Sequence, residues 1–443
     1  MKQFPFLNRM NKNISYDFYL AIRPLLYVSR ALGLAPYAFV KKTLPGGKIL
    51  KKNEISSFAL IYSMFIFALY LCVFVVSFTF KYMYIYSQKS ATETVPNILL
   101  HTVSISSILS LVLSVTKNRN AIVRITYLIT ETERVILTNS TEYYRKAKIS
   151  IFVQVIVIFT VFGLFVYHDY ITWYSINGVI ILSYSHMYVD MLIEWIVVIQ
   201  FVNMVVLLKD RFSLLNMRLS NLSGILETEN SKEGFHLPSL ETARVSVKEM
   251  KSQLTGKGIL MFNNIHDILF DTVLLVKSTY EVQIFLSLLS AFASITIYSY
   301  YGLCVLYGYH GVEYAAVSNT RLLLFTIIRA LLHMAKLLCI ALPCHSANKS
   351  MVHTSNVLRK LLLAFHTDPL TMSELERFSH HVALRKFKFT VFGFLSLDLS
   401  LLVSMMGAVA TYLVILMQFQ MTSKVSPACM KNVTAYVSGT ADF

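Results

Sequence analysis

Long runs of apolar residues alternate with shorter polar segments along the whole chain. A bilayer core of about 30 Å needs about 20 apolar residues in a helix, and seven segments meet that requirement. The predicted spans are residues 55–80, 97–116, 149–168, 182–208, 282–308, 321–342 and 390–419. The sequence therefore predicts an all-α membrane protein with seven transmembrane helices.

The spans divide the chain into five predicted regions. In the first, residues 1–54, the apolar stretch 24–40 contains Pro24, Arg30 and Pro36, which favours an interfacial helix over an eighth span. The other regions are a six-span ligand-binding bundle with a cytoplasmic loop at 209–281, a cytoplasmic helical anchor, the seventh span and an extracellular tail (residues 55–342, 343–389, 390–419 and 420–443).

Helical periodicity continues into the polar regions. It returns within the loop at 265–276, and after Pro343 the pattern suggests a hinge followed by a cytoplasmic helix. These extensions form either an intracellular anchor layer that holds subunits together or ordinary solvated helices, and the sequence leaves both open.

Basic residues lie mainly in alternate loops. Of the 40 Lys and Arg residues, 33 fall on one side of the predicted spans and 4 on the other. The positive-inside rule then places the N-terminus in the cytoplasm and the C-terminus outside, the reverse of a G-protein-coupled receptor. The net charge of +16 is accounted for by topology, so no nucleic-acid partner is expected.

Composition and motifs further narrow the class of protein to which the chain can belong. Only 14% of the residues are charged, against about 25% in a soluble domain. The five cysteines form no CxxC pair, and the chain contains no P-loop, GxSxG or HExxH motif. We expect no enzyme activity, metal or cofactor, and a multi-pass protein of the plasma membrane whose first span acts as its targeting signal. A glycosylation sequon at Asn432 lies in the predicted outer tail.

The last span has a patterned surface. Helical spacing puts Thr411, Ile415 and Gln418 on one face, with Tyr412 and Phe419 on a neighbouring face. A polar stripe broken by an aliphatic ring suits a gated pore in a symmetric oligomer, where Ile415 would close the path by dewetting. The alternative is that Thr411 and Gln418 hydrogen-bond to neighbouring helices.

The stretch Ala-Thr-Tyr-Leu-Val-Ile-Leu-Met-Gln-Phe-Gln at residues 410–420 resembles the Thr-Tyr, five hydrophobics, Gln-Phe motif of insect gustatory receptors. The segments 31–37 and 343–345 are similar to the branch with fructose receptors. The resemblance implies a homotetrameric ligand-gated cation channel whose last helix lines the pore. It also implies a ligand pocket in the outer half of the other helices, a gate at Ile415, Gln418 and Phe419, and coupling through Tyr412.

Polar and aromatic side chains inside the other spans are the candidates for that pocket. A charge at mid-membrane costs about 3 kcal/mol, so it faces a cavity or a partner. Carboxylates beside aromatic rings suit a sugar or polyol; the alternative is ion pairing of Arg329 with Glu194 or Asp190. The candidate ligand residues are Asp169, Trp173, Tyr188, Asp190, Glu194, Trp195, Thr326, Arg329 and His333.

We therefore expect a taste receptor that acts as a nonselective cation channel opened by a small sugar or polyol such as fructose. Where the fructose receptors carry a Gln and a Trp, this sequence has Thr326 and Arg329, which leaves another sugar or a cyclic polyol open. The alternatives are an odorant-receptor-like channel subunit for an apolar ligand and a proton-coupled transporter that uses Asp190 and Glu194.

Overall fold

The structure, a computed structural model, is mainly α-helical. It describes residues 14–44, 48–55, 57–84, 101–136, 140–174, 178–232, 256–308, 318–364, 369–385 and 387–438. In chain order the elements are α1 (Ile14–Ala31), β1 (Tyr37–Leu44), β2 (Lys48–Ile55), α2 (Ser57–Tyr84), α3 (Thr102–Leu113), a π-helical turn (Ser114–Asn118), α4 (Arg119–Ile136), α5 (Ser140–Tyr174), α6 (Gly178–Lys232), α7 (Gly256–Leu306), α8 (Asn319–Ala364), α9 (Pro369–Leu384), β3 (Thr390–Val391), β4 (Leu395–Ser396) and α10 (Leu399–Ser438).

Six helices in the described ranges are long and apolar enough to cross a membrane. Their apolar segments are Ser57–Met83, Glu142–Ile171, His186–Leu222, Gly256–Leu306, Asn319–Leu363 and Leu399–Thr422. The predicted span at 97–116 corresponds to α3, which has 12 residues and continues through the π-helical turn into α4. Residues 97–100 of that span lie outside the described ranges.

Hydrogen bonds attach the π-helical turn and the end of α3 to α7. Gln283 donates from Nε2 to the Ser110 carbonyl at 3.3 Å and accepts from Asn118 Nδ2 at 2.9 Å. Lys117 also reaches the Ser278 carbonyl at 3.1 Å. A π turn leaves backbone groups without their usual helical partners, and these contacts attach that section of helix to its neighbour.

The helices α6, α7 and α8 form the centre of the bundle. They contain 55, 51 and 46 residues, which at 1.5 Å per residue makes them about 70 to 80 Å long, more than twice the thickness of a bilayer core. Helix α8 passes through Pro343 without a break, although the sequence suggests a hinge there. Cys344 and Ala347, in the turn that follows the proline, are fully buried.

The N-terminal region differs from its prediction. Instead of an interfacial helix over residues 24–40, α1 ends at Ala31 and is followed by an antiparallel hairpin of β1 and β2. Helix α1 packs against α5, and Phe18, Leu25 and Leu26 are buried there. Gly33 makes the turn after α1 with a φ of +77°, a conformation that favours glycine.

The last span also begins later than predicted. Residues 390–396 form the β3–β4 hairpin, and α10 starts after Asp398. It then continues to Ser438, so Asn432 lies within a helix rather than in an irregular tail. Glycosylation at Asn432 stays a prediction.

Candidate functional site

Arg329 on α8 and Asp169 on α5 form a salt bridge inside the helical bundle. The distance from Arg329 Nη2 to Asp169 Oδ2 is 2.6 Å. Tyr188 on α6 donates its hydroxyl to the same carboxylate oxygen, and Arg329 Nη1 donates to the hydroxyl of Tyr298 on α7 at 3.1 Å. One ion pair therefore connects four helices, and the guanidinium group makes several of the hydrogen bonds that its planar fork allows.

Aromatic rings surround this salt bridge. The guanidinium carbon of Arg329 lies 4.5 Å from the ring centre of Phe165 and 4.4 Å from that of Phe325. His333, one turn further along α8, stacks on the ring of Tyr298 at 6.0 Å. Cation–π contacts of this kind stabilise a partly desolvated cation.

Two polar atoms of the salt bridge remain without a hydrogen bond. Arg329 Nε and Asp169 Oδ1 are buried and make no hydrogen bond with a described residue, although His168 Nδ1 lies 3.7 Å from Asp169 Oδ1. A donor and an acceptor are thus available on the two members of one ion pair, and a hydroxyl group can both donate and accept. Two cavities in the described part of the chain, of about 380 and 1050 Å³, are lined by other residues.

A second ion pair lies two turns further along α8. Lys336 Nζ is 2.5 Å from Glu194 Oε2, and Ser290 on α7 donates to Glu194 Oε1 at 2.7 Å. Both charged side chains are almost completely buried. The predicted pairing of Arg329 with Glu194 or Asp190 is therefore wrong, because each cation of α8 meets a different carboxylate.

Asp190 points in another direction, towards α2 and α3. It accepts hydrogen bonds from the hydroxyls of Tyr70 and Ser104, the latter at 2.5 Å, and its carbonyl accepts one from Ser107 at 3.1 Å. Two carboxylates one turn apart on α6 thus serve two separate networks. A relay between Asp190 and Glu194, as the transporter hypothesis requires, is not connected by any hydrogen bond between the described side chains.

Only some of the predicted ligand residues lie around the salt bridge of Arg329 and Asp169. Thr326 donates to the Leu323 carbonyl of its own helix at 2.9 Å and faces Gly302 of α7. Trp195 is half-buried, and the side chain of Trp173 lies outside the described part of the structure. Of the predicted set, Asp169, Tyr188, Arg329 and His333 come together around one salt bridge.

Sequence reasoning missed several members of these networks. Phe165, Phe325 and Tyr298 are ordinary aromatic residues in apolar spans, and nothing in their spacing marks them. Lys336 did carry a signal, because it lies seven residues after Arg329 and thus on the same face of α8. A buried cation two turns from another indicates a second carboxylate partner.

The predicted pore face of α10 is largely uncovered within one chain. Ile415, Tyr412 and Phe419 are 40%, 52% and 65% exposed. Thr411 donates to the Gly407 carbonyl of its own helix at 3.0 Å, and the side chain of Gln418 has no hydrogen bond to a described residue. The alternative in which these two polar residues bond to neighbouring helices is therefore not observed within the described part of the chain.

One side of α10 does contact the bundle. Val409 and Met417 are buried, and the ring of Tyr412 meets that of Phe292 on α7 edge to face at 5.8 Å. Before the helix, Lys388 bonds Asp398 at 2.8 Å, and Glu281 of α7 accepts from the Phe392 amide at 2.7 Å. The base of α10 is thus attached to α7.

Comparisons with known proteins agree with this architecture. A family model described as 7tm chemosensory receptor matches residues 22–423. The structure of the insect olfactory receptor OR5 from Machilis hrabei, in complex with eugenol, matches with a TM-score of 0.56 at 13% identity, covering 91% of this chain and 99% of that one. No curated protein matches the sequence. Since the family model spans nearly the whole chain, the protein is a multi-pass membrane receptor rather than an enzyme, and it belongs to the 7tm chemosensory receptor family.

Proposed function

We propose that this receptor is a taste receptor and a ligand-gated, nonselective cation channel opened by a small sugar or polyol. The observation that carries the proposal is the salt bridge of Arg329 and Asp169, because Arg329 Nε and Asp169 Oδ1 are buried without a hydrogen bond among the described residues. A vicinal diol offers a donor to the carboxylate and an acceptor to the guanidinium group.

The surrounding rings support the same ligand class. Phe165, Phe325 and Tyr298 lie within about 6 Å of the guanidinium group. Apolar ring faces cover the C–H groups of a sugar while a few polar groups fix its hydroxyls, which is the usual division of labour in a small-molecule site. Tyr188 adds a hydroxyl to the same carboxylate.

Ligand binding would act by changing this ion pair. A polyol that enters has to replace part of the bonding between α5, α6, α7 and α8 with its own hydroxyls. The ligand can shift the equilibrium between the two arrangements of the helices only by the difference between its binding free energies for them. Because α7 carries Tyr298 of the site and contacts the base of α10, a shift of α7 reaches the last helix.

The proposed pore is formed by α10 of four identical chains. In the single chain Ile415, Gln418 and Phe419 are exposed, so they are free to face a central axis. A ring of Ile415 side chains would exclude water in the closed state, and Gln418 would contact hydrated cations. The other exposed apolar surfaces of the chain would face membrane lipid.

Electrophysiology tests the proposal directly. The chain would be expressed alone in cells with confirmed surface delivery, and currents would be recorded during application of fructose, other sugars and cyclic polyols. We expect an inward cation current for at least one of them. Silence across the panel would contradict the ligand class.

A pair of variants connects the response to the site. Asp169→Asn keeps the size of the side chain but removes the charge that Arg329 contacts, and we expect it to shift or abolish the response. Asp271→Asn is the matched control, because that carboxylate is 67% exposed on α7. If Asp169→Asn and Asp271→Asn give the same response, the salt bridge is not part of the ligand site.

A second candidate ligand class is supported by the aromatic surroundings of Arg329. A small phenol would stack on Phe165 or Phe325 and place its hydroxyl on Asp169, and the olfactory receptor of M. hrabei was solved with eugenol. Eugenol therefore belongs in the same panel. Activation by eugenol without any response to polyols would favour an odorant-type receptor.

A further inference from the structure

A cavity of about 380 Å³ lies apart from both salt bridges, between α1, α5, α6 and α7. Its walls are mostly apolar and include Phe18 and Leu25 of α1, Ile151 of α5 and Leu207 of α6. This volume falls within the range of cavities that hold small molecules. None of the residues that line it belongs to the proposed ligand site.

The inner end of the cavity is polar. Gln200 is 7% exposed and donates from Nε2 to Ser29 Oγ at 2.7 Å, which leaves its carbonyl oxygen without a hydrogen bond to any described residue. Tyr37 and Tyr280 also line the cavity at 6% and 2% exposure, and neither hydroxyl has a partner in the described ranges. Buried hydroxyl and amide groups normally have one.

Only two of the residues that line the cavity are charged, and each has an ion-pair partner. Lys146 lies 3.1 Å from Glu142, and Asp210 lies 3.2 Å from Lys209 and accepts from Tyr143 at 2.8 Å. All other residues that line the cavity are neutral. A charged ligand would therefore be desolvated without a counter-ion, whereas a neutral hydroxyl matches the groups at the inner end.

Two exposed residues of α5, Lys146 and Ser150, line the cavity, and Ser150 lies beside the apolar surface of that span. Ser150, which lines it, is exposed, and its neighbours Ile149, Phe152 and Val153 are 57%, 53% and 51% exposed on an apolar span. A molecule dissolved in the hydrocarbon thus reaches the opening without crossing water. An amphiphile would place its apolar body against α1 and its polar group at Gln200.

We infer that this cavity binds a neutral amphiphile with a single hydroxyl group that partitions into the membrane. The hydroxyl donates to Gln200 Oε1 and accepts from the hydroxyl of Tyr280, and the hydrocarbon part packs against Phe18 and Leu25. Membrane sterols and free long-chain alcohols share this chemistry. The inference does not depend on channel activity or on the ligand of the Arg329 site.

Photolabelling of the purified full-length protein in phosphatidylcholine nanodiscs tests the site. Two probes are used, a long-chain alcohol and a sterol, each bearing a diazirine group. We expect at least one probe to label cavity residues such as Ile22 and Met204, with saturation and with competition by its unlabelled parent. The probe whose labelling saturates shows whether the ligand is a long-chain alcohol or a sterol. Labelling that never saturates and stays on Ile149 and Phe152 would overturn the inference, because bulk lipid gives that pattern.

Tyr280→Phe removes a hydroxyl that no described residue uses and keeps the ring. We expect the half-saturating probe concentration to rise about three- to tenfold, while the apparent Tm without probe stays unchanged. The matched control is Tyr127→Phe, because Tyr127 is 57% exposed on α4 and lies outside the cavity. An equal affinity of both variants would overturn the proposed hydrogen bond.

A second pair of variants tests access. Ser150→Phe adds a ring at the opening, and Ile149→Phe adds one at the adjacent lipid-facing position. We expect saturable labelling to fall at least tenfold in the first variant and to remain in the second. Unchanged labelling in both would contradict entry from the lipid side.

Discussion

The ammonium group of Lys336 lies 2.5 Å from the carboxylate of Glu194, and the two side chains are 1% and 2% exposed. Removing one member of such a pair leaves the other charge buried and uncompensated, which costs about 3–5 kcal/mol. We expect Lys336→Met to lower the stability of the detergent-purified protein by this amount, seen as a lower apparent Tm.

Adding Glu194→Leu to Lys336→Met removes the stranded charge, so most of the lost stability should return. Lys349→Met, at an exposed position on the same helix, serves as the control and should have little effect. A Lys336→Met variant as stable as the wild type would contradict a stabilising role of this ion pair.

Helices α7 and α8 approach closely at Gly302. A methyl group added there would lie 3.1 Å from Thr326 Oγ1, tighter than ordinary van der Waals contact. We expect Gly302→Ala to destabilise the protein by about 1–3 kcal/mol. The double variant with Thr326→Ala should recover part of that loss, whereas Gly163→Ala, which has open space, should not destabilise it. Additive effects of Gly302→Ala and Thr326→Ala would contradict the contact.

Asp398 caps the first turn of α10 and bonds Lys388. Its Oδ1 accepts from the Ser400 amide at 3.1 Å, so Asp398→Ala should cost about 1 kcal/mol through loss of the cap. Asp398→Asn keeps a capping oxygen and loses only the ion pair, so it should cost less. If both variants have the same apparent Tm as the wild type, the cap does not stabilise α10.

The pH dependence of this contact follows from the same bonds. Lys388 and then Ser400 lower the pKa of Asp398 to about 2 from an ordinary value of 3.8. Because the pKa is lower in the folded protein, the stabilisation is complete above about pH 4 and is lost as the pH falls towards 2. The apparent Tm values of the wild type and of Asp398→Asn should therefore converge in acid, and a difference that is undiminished at pH 2 would exclude the ion pair as its cause.

Ile415 is the residue that the proposed pore requires most. Ile415→Ala widens a ring of side chains that excludes water, so we expect a larger current without ligand. The current would be recorded from cells with matched surface expression. Met406→Ala is the control, since Met406 is 42% exposed and, nine residues before Ile415, lies on the opposite face of α10. Unchanged gating in Ile415→Ala would exclude this residue from the gate.

The sequence was most informative where hydrophobic length decides the structure. Six of the predicted spans correspond to helices that are long and apolar enough to cross a membrane, and the Thr-Tyr and Gln-Phe motif lies within one of them. The family was also predicted correctly from that motif. A bilayer requires about 20 apolar residues wherever they occur, so local sequence suffices for this part of the fold.

The pairings between helices could not be predicted in the same way. Periodicity shows that Arg329 and Lys336 share a face of α8, but it does not show which helix packs on that face. Asp169 pairs with Arg329 across 160 residues, and that contact depends on the tertiary arrangement. The β1–β2 hairpin was missed because its lysines resemble a charged cytoplasmic loop.

The separation of Glu194 and Lys336 along the chain constrains biogenesis. The carboxylate of Glu194 leaves the ribosome 142 residues before its ammonium partner. During that interval it enters the translocon at a cost of about 3 kcal/mol, with no cation of α8 yet synthesised. Helix α6 therefore reaches its final environment only after α8 has been made. A nascent chain that stops before residue 336 would expose an unpaired intramembrane carboxylate to cellular quality control.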